Sequence, residues 1–272
     1  MTVCIAVRCQ DKDVEKIVLC TDRKASTALG SAETAFKQYD ISNGWWCLGS
    51  GDEPDIIALV HLYRTQFRQA TTEPTRDTIF DFLKVPLRQR KAALCEDYIQ
   101  SRFAISYDNF IKEGKGRFPP DQFYGTMQAI LELELKASLV IAGYVEHKHA
   151  VVFTTDGYGM LRPTGDFAVG GEGGYIAQSS LLRRQCIKYQ SLHEALYLAY
   201  EAKTLAESVG SVGSETLITV LGPKSWHVIN DSAIEQMAEM FTKYGPQPVG
   251  DVNLKGTIFL GDKPSRTKKK SG

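Results

Sequence analysis

The chain has 272 residues, of which 43% are apolar and 24% charged, and this is enough to bury one sizeable core. Its 32 basic residues balance its 32 acidic ones, so no charge excess marks a partner in nucleic acid or an anionic membrane. No run approaches the roughly 20 consecutive apolar residues that a membrane-crossing helix needs.

Taken in order, residues 3–9 (VCIAVRC) and 17–21 (IVLCT) read as two buried strands joined by the polar turn Gln10 to Glu15, a hairpin beginning at the second residue. Residues 22–35 are small and polar, with Gly30 as a turn signal. A second strand pair, 37–42 and 45–49, bends at Asn43-Gly44, a strong hairpin dipeptide. Gly49-Ser50-Gly51-Asp52-Glu53-Pro54-Asp55 opens the first helix, with Asp52 expected as N-cap and Pro54 in the first turn. Behind it Ile56, Leu59, Val60, Tyr63 and Phe67 recur at helical spacing. A second helical region spans about Thr75 to Arg102, with Pro86 expected to kink or restart it. Residues 104–133 are aromatic-rich and punctuated by Gly114, Gly116, Pro119 and Pro120. They read as an insertion packed on the body or on a neighbouring subunit.

The pattern then resumes. Residues 137–144 and 150–155 form a strand pair, followed by a turn at Asp156-Gly157. Phe167-Ala168-Val169 leads into the turn Gly170-Gly171-Glu172-Gly173-Gly174 and a helix through about Gln185. Leu192 to Glu207 is a further helix. Residues 214–221 and 225–229 are strands, and Asp231 is expected to cap a last amphipathic helix that ends at Gly245. Strands in hairpins and helices in sequential pairs argue against a parallel sheet. They predict an α+β protein, a four-layer α-β-β-α sandwich of two antiparallel sheets between helix pairs. With no linker or repeat, residues 2–245 read as one domain, and 246–272 as a C-terminal extension with a basic end.

Arg8, Asp11 and Lys12 interrupt the apolar start, so no signal peptide is expected. Six cysteines without a C-x-x-C pair fit reduced thiols, and the expected location is cytoplasmic. No ligand cluster accompanies His147 and His149, so neither a metal nor a cofactor is expected. Gly170 to Gly174 lacks the lysine and the spacing of a phosphate loop.

The chemistry concentrates near the start. Removal of Met1 would leave Thr2 with an α-amine and a hydroxyl on one residue, a nucleophile and a base in a single unit. The stretch Thr2-Val3-Cys4-Ile5-Ala6-Val7-Arg8 resembles the start of proteasome β subunits and their bacterial ring-forming relatives, which are N-terminal-nucleophile hydrolases. The resemblance continues through Thr21-Asp22-Arg23-Lys24-Ala25-Ser26, Phe36-Lys37-Gln38 and the Gly49 to Asp55 turn. It resumes at Asp156-Gly157, at Ala168 through Gln178 and at Ser211-Val212-Gly213-Ser214. It implies the sandwich fold reached above and a threonine-type peptidase in which Thr2, Asp22, Lys37, Gly51 and Ser211 match catalytic positions. Lys24, Ser26 and Gly49 would lie in the substrate cleft. A lysine ammonium near the α-amine lowers its pKa from an unperturbed value of about 7.7–8.0 and stabilises the developing oxyanion.

Two departures stand out. The family has a serine where this chain has Gly171 or Glu172, and an aspartate where it has Ser208, preceded by Glu207. Glu172 or Glu207 is the candidate substitute for the missing polar group. The implied partners are a peptide or unfolded-protein substrate, further copies in a homo-oligomer, closed rings before open helices, and an ATP-dependent unfoldase. The alternatives are a small-amide hydrolase of the same mechanism and a catalytically silent scaffold subunit.

Overall fold

The computed structural model describes residues 2–27, 30–42 and 44–246. The chain begins with β1 (Cys4–Asp11), β2 (Val14–Asp22), β3 (Ala25–Thr27), β4 (Gly30–Ala32), β5 (Gln38–Ser42) and β6 (Trp45–Gly51). Four helices follow: α1 (Glu53–Gln69), α2 (Ile79–Phe103), α3 (Tyr107–Arg117) and α4 (Pro120–Leu131). Next come β7 (Ala137–Val145), β8 (His149–Thr155), β9 (Leu161–Thr164), β10 (Phe167–Gly170), α5 (Gly174–Arg183) and α6 (Leu192–Ala206). The described chain closes with β11 (Thr216–Gly222), β12 (Ser225–Val228) and α7 (Asp231–Tyr244).

Two five-stranded sheets, in the orders β10-β1-β2-β11-β12 and β5-β6-β7-β8-β9, pair antiparallel throughout. A period of two separates each strand's faces. Cys4, Ala6, Ile17 and Leu19 of the first sheet meet Trp46, Leu48, Val140 and Ala142 of the second in a core between them. The alternate residues Val3, Ile5, Val7, Val18 and Cys20 face α5 and α6. Cys47, Leu139 and Ile141 face Leu59, Tyr63 and Leu83 of α1 and α2. The result is an α+β sandwich with helices on both outer faces. Strands buried on both sides read as continuous apolar runs rather than alternating ones, which is how β1, β2 and β7 appear in the sequence.

Three expectations change. Helix α2 does not restart at Pro86 but continues through it as one helix. A proline has no N–H for the carbonyl four residues back, and that carbonyl, Phe82 O, accepts instead from Gln66 Nε2 of α1 at 2.5 Å. The cap of α7 is Asn230, not Asp231: its side chain accepts from Ala233 N at 3.0 Å. Asp52 does occupy the N-cap position of α1, but its side chain makes no capping bond. Residues 104–133 are two helices on the end of α2, where Phe103, Phe110, Phe118 and Phe123 stack together. The insertion therefore packs on its own chain. The extension beyond Pro246, Met1 and Asn43 lie outside the described residues. All six cysteines are free and buried. Among the described residues no helix is long and apolar enough to cross a membrane, and no group of three or more His, Cys, Asp or Glu could hold a metal.

Candidate active site

Thr2 leads directly into β1, and the β1–β2 register, with Cys4 opposite Thr21, brings Val3 opposite Asp22 at the end of β2. Asp22 is fully buried and collects five donors. Its Oδ1 accepts from the Thr2 hydroxyl in a short contact and from Val3 N at 3.0 Å. Its Oδ2 accepts from Lys37 Nζ at 2.8 Å, Gly213 N at 3.0 Å and Lys24 N at 3.2 Å. Lys37 Nζ also donates to Thr2 Oγ1 at 2.7 Å. One ammonium thus bridges the hydroxyl and the carboxylate. Burial on its own would raise the Asp22 carboxyl, but the bond and charge of Lys37, the Thr2 hydroxyl and Gly213 N–H outweigh it and hold the group below the usual carboxylate range.

The second sheet delivers Lys37. Its carbonyl accepts from Gly49 N at 3.0 Å, next to the start of β5. The neighbouring Gln38 is fully buried and reaches across to the first sheet, donating to Leu217 O at 2.9 Å and Thr21 Oγ1 at 3.3 Å. Cys4 Sγ adds a bond to Gly49 O at 3.6 Å. These cross-sheet bonds fix the ammonium relative to β1 and β2. Burial, opposed by Lys37, pushes the Cys4 thiol up to about 12. It is a neutral thiol at neutral pH and no competitor for the threonine hydroxyl.

Thr2 sits in a cleft of about 380 Å³ whose walls include Ser50, Gly51, Lys136, Gly171 and Glu172. Two glycines shape it by necessity. At Gly51 (φ +112°) a Cβ would stand 2.2 Å from Lys136 O, and at Gly171 (φ +81°) it would stand 2.2 Å from Thr2 O. Gly171→Ala is accordingly expected to displace Thr2 and to cost more than the roughly 1–2 kcal/mol of left-handed backbone strain alone. A lowered urea midpoint together with slower chemical modification of Thr2 would be the readout.

The remaining sequence candidates divide. Glu172 stands in the cleft wall, and its Oε2 accepts from Ser211 Oγ at 2.8 Å, so Ser211 meets the site through Glu172. Glu207 and Ser208, considered as substitutes for the missing polar group, are engaged elsewhere. Glu207 accepts from the fully buried Lys203 Nζ at 2.7 Å, and Ser208 turns back to Leu205 O at 2.8 Å. Lys203 also bonds Ser214 O at 2.5 Å, tying down both ends of the loop that presents Gly213 N–H to Asp22. Lys24 turns its ammonium to Gly210 O at 2.9 Å and contributes its backbone N–H to Asp22. Gly49 packs on Ile56 and holds Lys37 rather than lining the cleft. Ser26 stands on β3, paired with Ser31 of β4.

Sequence reasoning missed Gly213, Lys136 and the Ser50–Ser138 hydroxyl pair, whose oxygens are 2.7 Å apart. Lys136 and Ser138 come to the cleft only through the β6–β7 register, which pairs Ser50 with Ser138 and Gly51 with Ala137. Comparison of the sequence with known protein families and with curated proteins gives no match.

Proposed function

We propose that the chain is an N-terminal-nucleophile hydrolase of the proteasome β type, a threonine peptidase that acts once Met1 has been removed. The observation that carries this reading is the bridging ammonium: Lys37 Nζ lies 2.7 Å from Thr2 Oγ1 and 2.8 Å from Asp22 Oδ2, and Thr2 itself lines a cleft. Helices on both outer faces of two antiparallel sheets agree with the α-β-β-α sandwich of that class.

In the proposed reaction Thr2 Oγ1 attacks the substrate carbonyl carbon and its proton passes to the α-amine of the same residue. The Lys37 charge favours the neutral amine and stabilises the oxygen as it loses its proton. The Gly51 N–H is assigned to the carbonyl oxygen as it becomes negative. The C–N bond then breaks, the leaving amine takes the proton from the α-ammonium, and an ester on Thr2 remains. Water, deprotonated by the same amine, hydrolyses that ester and restores the enzyme. Asp22 keeps Lys37 charged and oriented throughout.

The test is intact-mass spectrometry of the purified chain, before and after exposure to an electrophile directed at N-terminal threonine. Loss of Met1 and one adduct per chain are expected. A chain that retains Met1 and takes no adduct sinks the mechanism and leaves the silent-scaffold reading. A second catalytic reading, a hydrolase of small amides, draws on the cleft volume of about 380 Å³, which lies near the lower end of small-molecule sites. Cleavage of acylated amino acids but not of peptides would favour it.

A further inference from the structure

A second cavity, of about 480 Å³, carries chemistry that the threonine site does not use. Arg8 of β1 and His149 of β8 lie on its wall, and none of its lining residues lines the Thr2 cleft. Arg8 lies six positions along the extended chain from Thr2, a span of about 20 Å. Four nitrogen-bearing side chains line this cavity, Arg8, Arg76, His149 and Lys188, and no acidic residue lines it. Its apolar wall is built from Phe80, Phe153 and Pro163 among others.

Arg8 is fixed in place rather than waving in solvent. Its side chain is 14% exposed, with Nη1 donating to Gly165 O at 2.6 Å and Nη2 to Glu15 Oε2 at 3.2 Å. The same Glu15 oxygen is anchored by Ala150 N at 2.7 Å, so the carboxylate that orients Arg8 is itself held by β8. Of its other donors, Arg8 Nε is buried and has no hydrogen-bond partner among the described residues. An unpaired buried donor on a charged group is costly, and a fixed guanidinium with a free N–H suits an incoming oxyanion.

The cavity also receives the start of α2, through Ile79 and Phe80. The N-cap residue Thr78 makes no side-chain capping bond, because its hydroxyl turns back to Thr75. The positive end of a 25-residue helix dipole therefore adds to the field of the cations. The acids near it are Glu15, Asp166 and, in the first turn of α2, Asp81, which offsets part of the dipole; Glu15 is held by Arg8 and Ala150 N with His149 Nδ1 3.9 Å away, Asp166 Oδ1 by Lys188 N at 3.0 Å, and Asp81 Oδ1 by Lys84 Nζ at 3.1 Å.

We infer that this cavity is a binding site for a small organic phosphate-type anion, its charged group held by Arg8, Arg76 and Lys188 and its apolar body resting on Phe80, Phe153 and Pro163. The site is separate from the threonine cleft, so the inference stands whether or not the chain is a hydrolase.

Phenyl phosphate is a suitable probe, titrated by calorimetry into the full chain, with inorganic phosphate and benzoate as comparisons. Saturable binding with one site per chain is expected, at least tenfold tighter for phenyl phosphate than for inorganic phosphate. Benzoate binding as tightly as phenyl phosphate would overturn the phosphate assignment. The double variant R76A/K188A, at an exposed and a half-buried position, should weaken phenyl phosphate at least tenfold. T2A should leave binding unchanged. Absence of saturable binding at millimolar probe, or an affinity that R76A/K188A does not alter, would overturn the site. Replacing Arg8 by alanine risks the fold, so R8K serves as the internal variant: it keeps the charge but not the fork of donors, and should weaken phenyl phosphate while the chain still unfolds in one cooperative transition. Unchanged affinity in R8K would remove Arg8 from the site.

Discussion

Asp22→Ala is expected to cost about 3–5 kcal/mol of folding stability, the range for removing one partner of a buried ion pair. The Asp22 carboxylate is fully buried and the Lys37 side chain is 10% exposed, so the substitution leaves a nearly dry ammonium without its counter-charge. It also strips the acceptor from Val3 N, Lys24 N and Gly213 N, three backbone donors from three separate segments. Lys37→Met should cost clearly less. Asp22 would keep four of its five donors, and a methionine of similar length replaces charge with apolar volume in a well-covered position. Urea unfolding of the two variants beside the parent chain measures the asymmetry. Equal losses below about 1 kcal/mol would mean that the pair behaves like an exposed one, and the buried description of the site would have to be abandoned.

The same carboxylate sets an acid limit. Its folded-state pKa is depressed by Lys37, Thr2 and Gly213 against the opposing effect of burial. A depressed carboxylate contributes stability that is complete above the unfolded value of about 3.9 and is lost as pH falls through the folded value. The stability gap between the parent chain and Asp22→Asn is therefore expected to be widest near neutrality and to close progressively below about pH 4. A gap that widened on acidification would contradict the assigned direction.

How much of this was legible in the sequence differs between elements for physical reasons. Strands β1, β2, β6 and β7 declare themselves as apolar runs because both of their faces are covered, by the opposite sheet and by helices. At Pro86 a kink or restart of α2 is the sequence expectation because a proline removes one ladder bond, and nothing local reveals that Gln66 of α1 supplies a donor to the carbonyl left over. In residues 104–133 the glycines and prolines read as punctuation. Yet Pro120 is the first residue of α4, and Gly114 makes room inside α3 for the ring of Phe123. The β3–β4 hairpin, three residues a side, is too short for periodicity to register. At the site, Thr2, Asp22 and Lys37 stand at strand ends whose register a reader can reconstruct. The roles of Glu207 and Ser208 were not legible, because they depend on how the loop after α6 is tied down. One clue was present: Lys203 and Glu207 are four apart, the spacing at which helical side chains pair. That pairing takes Glu207 out of the cleft and leaves Glu172 as the acidic group in its wall.

Thr2→Ala is expected to abolish both covalent labelling and hydrolysis, while Thr2→Ser keeps both. The proposed reaction asks one residue for a hydroxyl and an amine, and alanine supplies only the amine. Stability should change far less than activity, because the lost hydroxyl makes two hydrogen bonds, to Asp22 and from Lys37, each worth about 0.5–1.5 kcal/mol net or up to about 3 where a charge is involved. An unfolding curve recorded beside the assay separates the two effects. Lys37→Met probes the other half of the mechanism: nucleophile and amine remain, but the charge that eases proton transfer is gone. Loss of a positioned group of this kind costs about 10²–10⁴-fold in rate. Without a neighbouring cation the amine holds its proton more tightly, so the acid limb of the pH–rate profile should move to higher pH in Lys37→Met. That displacement separates an electrostatic role for Lys37 from a purely architectural one, because a loosened site would lower the rate at every pH without moving the limb. Undiminished hydrolysis by Thr2→Ala, with Met1 removed and the fold intact, would place the nucleophile elsewhere in the chain and leave Lys37 and Asp22 as a buried pair that holds the two sheets together.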